Sequence, residues 1–126
     1  MTENELSRLV VAAAIEVHRT LSGPGLLEKV YEEALAYELR ARGLKVDQQR
    51  LVPLFYKGRL LSTGLRVDLV VADKIFVECK ATAADHPIFE AQALTYLRLL
   101  NLRLAIVINF GKPVVKDGLH RVVNGL

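Results

Sequence analysis

Two neighbouring segments, Leu65–Val71 and Ile75–Ala81, alternate in polarity and are separated only by Ala72-Asp73-Lys74. Alternation at every second residue is the signature of extended backbone, in which successive side chains leave opposite faces of a strand. So short a connection predicts a hairpin. On the second strand Glu78 and Lys80 share one face while Ile75, Val77 and Cys79 share the other. A carboxylate and an ammonium on an otherwise apolar strand are costly to bury without partners. The pair must therefore be matched by a salt bridge or kept for chemistry.

Asp68 on the first strand is the natural partner, and the turn decides whether it reaches. A two-residue loop at Asp73-Lys74 places Asp68 opposite Cys79 and leaves Glu78 on the other face. A three-residue loop or a bulge places Asp68 opposite Glu78, with Cβ atoms about 5 Å apart. Carboxylates that close repel unless a cation lies between them. Mg²⁺ (or Mn²⁺) suits such a site, because it prefers oxygen ligands and keeps several waters. In this reading Asp68 and Glu78 are ligands, the main-chain carbonyl of Cys79 is a third, and Lys80 orients the attacking water or offsets charge on a scissile phosphate. The competing reading is an ordinary ion pair on a half-exposed strand.

The remaining elements frame this hairpin. Thr2 and Glu5 have capping-box spacing, and Leu6, Leu9, Val10, Ala13, Val17 and Leu21 follow helical periodicity up to Ser22-Gly23-Pro24-Gly25. A second helix is predicted from about Leu26 to Arg42, ended by Gly43, with Leu27, Val30, Tyr31, Ala34 and Leu35 as its buried stripe. Leu44–Arg50 and Leu51–Tyr56 read as extended, with Lys57-Gly58 turning the chain. Pro87 opens a third helix reaching about Asn101. Arg103–Asn109 is a short apolar run suited to a central strand covered on both faces. Lys116-Asp117-Gly118 is a turn, and Leu119–Val123 a final edge strand. The pattern is α/β, a mixed β-sheet flanked by helices, with residues 1–126 as a single domain.

Composition bounds the partners. No apolar run approaches the roughly 20 residues of a membrane-spanning helix, so no membrane is expected. MTENELSRLV lacks the basic and apolar regions of a secretory signal, and Cys79 is the single cysteine, so a cytoplasmic setting is expected. The net charge of +3 says little by itself, but its distribution is uneven. Arg40, Arg42, Lys45, Arg50, Lys57, Arg59 and Arg66 face only Asp47 between positions 40 and 66. Such a stretch is either a solvated surface or one that meets phosphates.

Three further pieces carry a resemblance. Residues 25–31, GLLEKVY, have the form GxxExxY; residues 92–96, QALTY, have the form QxxxY; and INFG at 108–111 closes the strand after the third helix. With Asp68 and the E-x-K of Glu78 and Lys80, in this order, the chain closely resembles the bacterial family named for its GxxExxY motif, a family assigned to the PD-(D/E)XK nucleases. The resemblance implies a restriction-endonuclease-like core in which a helix glutamate, Glu28 here, reaches the metal centre. It also implies that Gln92 and Tyr96 look inward to contact phosphate or the lysine. Tyr31 is expected in the core, its hydroxyl free to bond Glu28 or Lys80, and Gly25 in a turn. His86, beside Pro87, reads as a capping or surface residue. Two positions depart from the pattern: Cys79 replaces an aliphatic residue within E-x-K, its thiol expected in the apolar layer, and Val67 replaces the nominal proline.

The expected function is Mg²⁺-dependent phosphodiester hydrolysis of DNA or RNA by Glu28, Asp68, Glu78, Lys80, Gln92 and Tyr96. The alternatives are a catalytically silent nuclease-fold module that binds nucleic acid or a protein partner, and a purely structural homodimer.

Overall fold

The hairpin forms with the three-residue loop. The computed structural model describes all 126 residues. Strands β4 (Leu65–Val71) and β5 (Ile75–Lys80) pair antiparallel through Val71–Ile75, Val70–Phe76 and Leu69–Val77. Ala72 and Asp73 both take left-handed backbone at φ 54°. The loop closes with a 3.0 Å hydrogen bond from Lys74 N–H to the carbonyl of Val71. This register puts Asp68 next to Glu78 at the position where the ladder stops.

Around this hairpin lie α1 (Glu3–Thr20), α2 (Glu28–Ala41), β1 (Val46–Val52), β2 (Phe55–Tyr56), β3 (Arg59–Leu60), α3 (Pro87–Leu100), β6 (Leu104–Asn109) and β7 (Leu119–Val123). Five strands form one mixed sheet in the order β1-β4-β5-β6-β7, while β2 and β3 make a separate two-stranded ribbon. Only β5 and β6 run parallel, joined by the α3 crossover.

Alternation sorts the sheet residues into two cores. Leu69, Val71, Val77, Cys79, Ile106 and Ile108 pack against α1 and α2. Phe76, Val70, Ala105 and Val107 pack against Ala93 and Leu97 of α3. All six residues of β6 are buried, as a strand covered on both faces requires. Each large side chain removed from water here contributes on the order of 1.5–3 kcal/mol.

The local signals act as expected at most boundaries. Thr2 and Glu5 form the complete capping box of α1. Gly43, at φ 83°, follows the end of α2, and His86 caps α3 by accepting from Ile88 N–H at 3.1 Å through Nδ1. Two expectations need correction. The buried face of α2 is Tyr31, Glu32, Leu35, Ala36 and Leu39, whereas Leu27 and Val30 are exposed. The helix is rotated toward Glu32 because Tyr31, Leu35 and Leu39 supply the better apolar seam against the sheet. Nor do residues 51–56 form one strand. Leu51 and Val52 complete β1, Pro53 cannot donate to a ladder, and Phe55–Tyr56 turns back on Arg59–Leu60.

Candidate active site

The site lies where β4 and β5 part. Beyond the Leu69–Val77 pair, the side chain of Asp68 receives the next main-chain donor: Oδ2 accepts from Cys79 N–H at 2.8 Å. Asp68 is buried, and its Oδ1 accepts from Gln49 Nε2 at 3.2 Å. Glu78, half-buried beside it, is pushed up to about 10 by desolvation first, then by interaction with the Asp68 carboxylate, against the pull of Lys80. Two like charges about 4 Å apart repel by about 4 kcal/mol at an effective dielectric near 20, so adjacent acids of this kind favour a shared proton or a cation.

Lys80 stands on the same face of β5 as Glu78, with Nζ 5.0 Å from the centre of the Phe89 ring on α3. Its own carbonyl accepts from Phe110 N–H at 2.7 Å, which fixes the end of β5 to the end of β6. The Cys79 thiol points into the apolar core with α1 and α2, and complete burial raises it well above the ordinary thiol range.

From the other side, α2 presents two acids one turn apart. Glu28, exposed at the start of the helix, has its carboxyl raised by partial desolvation, with Lys80 opposing and the Asp68 charge adding to the rise. Glu32 is only 3% exposed. It accepts from Gln49 Nε2 at 2.6 Å and from Gln48 Nε2 at 3.4 Å. Burial, then the Asp68 charge, raises its carboxyl. Gln49 therefore bridges Glu32 and Asp68 from a left-handed backbone position at φ 51°, inside an otherwise extended strand. The i, i+4 spacing from Glu28 to Glu32 was the available signal for this acid. Nothing in the local sequence marks Gln49.

The α3 residues are placed differently. Tyr96 packs tilted on Phe76, with ring centres 5.9 Å apart. Gln92 is exposed one turn beyond Phe89. The structure thus brings Asp68 and Glu78 together beside Lys80, sets Glu28 within electrostatic reach at the start of α2, and gives Gln92 and Tyr96 positions along the neighbouring helix.

The framing motifs act as scaffold. Tyr31 stacks on Phe110 at 4.7 Å, nearly parallel, which couples α2 to the end of β6. Its hydroxyl does not bond Glu28 or Lys80, as the sequence reading allowed. It donates to the carbonyl of Gly23 at 2.7 Å and accepts from Leu26 N–H at 3.2 Å, clamping the turn that delivers Glu28. Gly25 sits in that turn at φ 114°. Asn109, fully buried, accepts from Thr82 N–H and Gly111 N–H and donates to Thr82 Oγ1 and Asp85 Oδ1. A side chain at Gly111 would lie 2.2 Å from the Thr82 carbonyl oxygen, so only glycine fits there. His18, buried beneath, bonds the carbonyls of Phe110 and Lys112 through Nε2, which must therefore carry the proton.

The profile of the PD-(D/E)XK nuclease superfamily matches residues 4–122, nearly the whole chain. The chain belongs to this superfamily. No curated protein and no solved structure matches it significantly. The PD-(D/E)XK assignment agrees with the mixed five-stranded sheet flanked by three helices. Divalent metals are typical of PD-(D/E)XK nucleases. The acids at the β4–β5 gap offer only hard oxygen atoms, and desolvation with the Asp68 carboxylate pushes the Glu78 carboxyl up to about 10, a cost that a bound cation would relieve. No three acidic, histidine or cysteine side chains converge as a finished cage. A cation would therefore take two carboxylates and complete its shell with main-chain and solvent oxygens, which is the habit of Mg²⁺.

Proposed function

We propose that this chain is a Mg²⁺- or Mn²⁺-dependent phosphodiesterase acting on nucleic acid, in the GxxExxY branch of the superfamily. The observation that carries the reading is the contact between the Asp68 and Glu78 carboxylates beside Lys80. Asp68 and Glu78 would hold the cation, with Glu28 and the Cys79 carbonyl as further oxygen donors. When bound, the cation supplies Lewis-acid stabilisation of charge on the phosphoryl group. Lys80, held over Phe89, places a positive charge where phosphate oxygens gather negative charge in the transition state. Gln92 and Tyr96 would bind phosphate from α3. Glu32 and Gln49 position Asp68, and the Tyr31 clamp positions Glu28.

The test is cleavage of plasmid, single-stranded DNA and RNA with saturating Mg²⁺ or Mn²⁺. Lys80→Ala should lower the rate by about 100- to 1,000-fold, as loss of one charge-stabilising group does elsewhere. Equal turnover by wild type and variant would reject the assignment.

A second reading is a nuclease-fold module that binds nucleic acid without cleaving it. Both Asp68 oxygens already have donors, from Gln49 and Cys79, and that observation favours it. Salt-sensitive binding with no cleavage under any metal would select this reading.

A further inference from the structure

The basic stretch between positions 40 and 66 is not one surface. Arg42 pairs with Glu38, Lys45 with Asp73, and Arg50 with both Asp47 and Asp73. Arg40 is spent on the carbonyl of Val46 and on Gln48. Lys57, Arg59 and Arg66 likewise make no ion pair, and of these three only Arg66 makes a side-chain hydrogen bond, donating to the carbonyl of Gln49 at 3.4 Å.

Lys57 and Arg59 belong to the β2–β3 ribbon, which stands apart from the main sheet. Its turn is Lys57-Gly58, both at positive φ, the geometry of a tight hairpin. At its base, Gly64 packs against Leu51 and Val52. Phe55 is 66% exposed, Tyr56 61% and Leu60 63%, an unusual apolar display on six residues. Neighbouring strand residues point to opposite faces, so the two rings leave the ribbon on opposite sides. Tyr56 and Arg59 pair across it, and Lys57 lies 5.5 Å from the Tyr56 ring centre.

The ribbon leads directly into β4, which begins at Leu65, three residues before Asp68. At about 3.3 Å per residue the arm's base lies about 10 Å from Asp68. Because β5 runs antiparallel to β4, its Lys80 end lies at that same end of the sheet.

We propose that this arm, residues 53–64, binds single-stranded nucleic acid and feeds it to the site, with Phe55 and Tyr56 stacking on unpaired bases and Lys57, Arg59 and Arg66 meeting phosphates. The proposal rests on the nucleic-acid reading of the site and adds its substrate class. Base–aromatic stacking needs bases free of a duplex, and each stacked base strengthens binding by roughly 5- to 100-fold. A second copy of the chain is a poorer occupant. An arm of this size falls far short of the roughly 800 Å² per partner of a stable interface, and its cations would face one another.

The experiment measures anisotropy of a labelled single-stranded oligonucleotide and of a blunt duplex, in EDTA so that no cleavage occurs, across a salt series. Wild type should prefer the single strand. Phe55→Ala/Tyr56→Ala should weaken that binding at least about 20-fold and leave the duplex nearly unchanged. Lys57→Gln/Arg59→Gln should reduce the salt slope by about 1.4, two phosphate contacts at about 0.7 each. The charge variant alters only solvent-facing groups and decides the question if the aromatic variant fails to fold. Single-strand affinity and salt slope unchanged in either folded variant would overturn the proposal. So would sedimentation showing that the aromatic variant only breaks a dimer. Cleavage with Mg²⁺, assayed separately, tests the nuclease reading: loss of binding in the arm variants alongside no cleavage by wild type would leave the arm standing and remove the enzyme.

Discussion

Asp68 Oδ2 accepts the main-chain N–H of Cys79 at 2.8 Å, taking over where the β4–β5 ladder ends at Leu69–Val77. A side chain in the place of a strand partner lets the two strands part without orphaning a buried donor. The same bond aims Asp68 at the carboxylate of Glu78, one residue before Cys79. The divergence of the strands and the meeting of the acids are one event.

Asp68→Asn keeps an acceptor for Cys79 N–H and removes the charge. The fold should persist by circular dichroism, while metal-dependent cleavage should fall at least about 100-fold. Mg²⁺ should raise the melting temperature of wild type and leave that of the variant unchanged.

Glu78 gives a pH signature in metal-free protein. Its folded carboxyl is raised from 4.5 to about 10, so the folded state binds more protons than the unfolded state between those values. Stability from this group is complete below about pH 4.5 and is lost as pH rises toward 10. Melting in EDTA from pH 5 to 9 should show a decline that Glu78→Gln flattens. A decline of equal slope in the variant would show that the proton resides elsewhere.

Tyr31→Phe removes a hydroxyl that both donates to Gly23 and accepts from Leu26 while sparing the stack on Phe110. The expected cost is about 1–2 kcal/mol, read as a lower denaturant midpoint. Cleavage should fall as well, because the clamped turn delivers Glu28.

Gly111→Ala forces a methyl to within 2.2 Å of the Thr82 oxygen and 2.6 Å of its nitrogen. Backbone on the receiving side cannot move aside as a flexible side chain would. The variant should lose about 1–3 kcal/mol, read as a lower midpoint in chemical denaturation.

Much of the architecture was legible in one dimension. The periods of α1 and β6, the capping pair Thr2–Glu5 and the E-x-K spacing of Glu78 and Lys80 are local facts, set by which face each residue takes on its own element. Placement in three dimensions decided the rest. Sequence left two registers open for Asp68, and left-handed backbone at Ala72 and Asp73 selected the one that meets Glu78. Periodicity described a stripe on α2 but not the rotation of the helix, which only the sheet beneath it sets; hence Leu27 faces solvent and Glu32 is buried. The cations of positions 40–66 looked equivalent until their partners were in place, and ion pairing at Arg42, Lys45 and Arg50 left the arm as the free positive surface. Amino-acid order determines what each element can present. Which groups meet depends on long-range packing, because the free energy of a buried charge is set by neighbours far away in the chain.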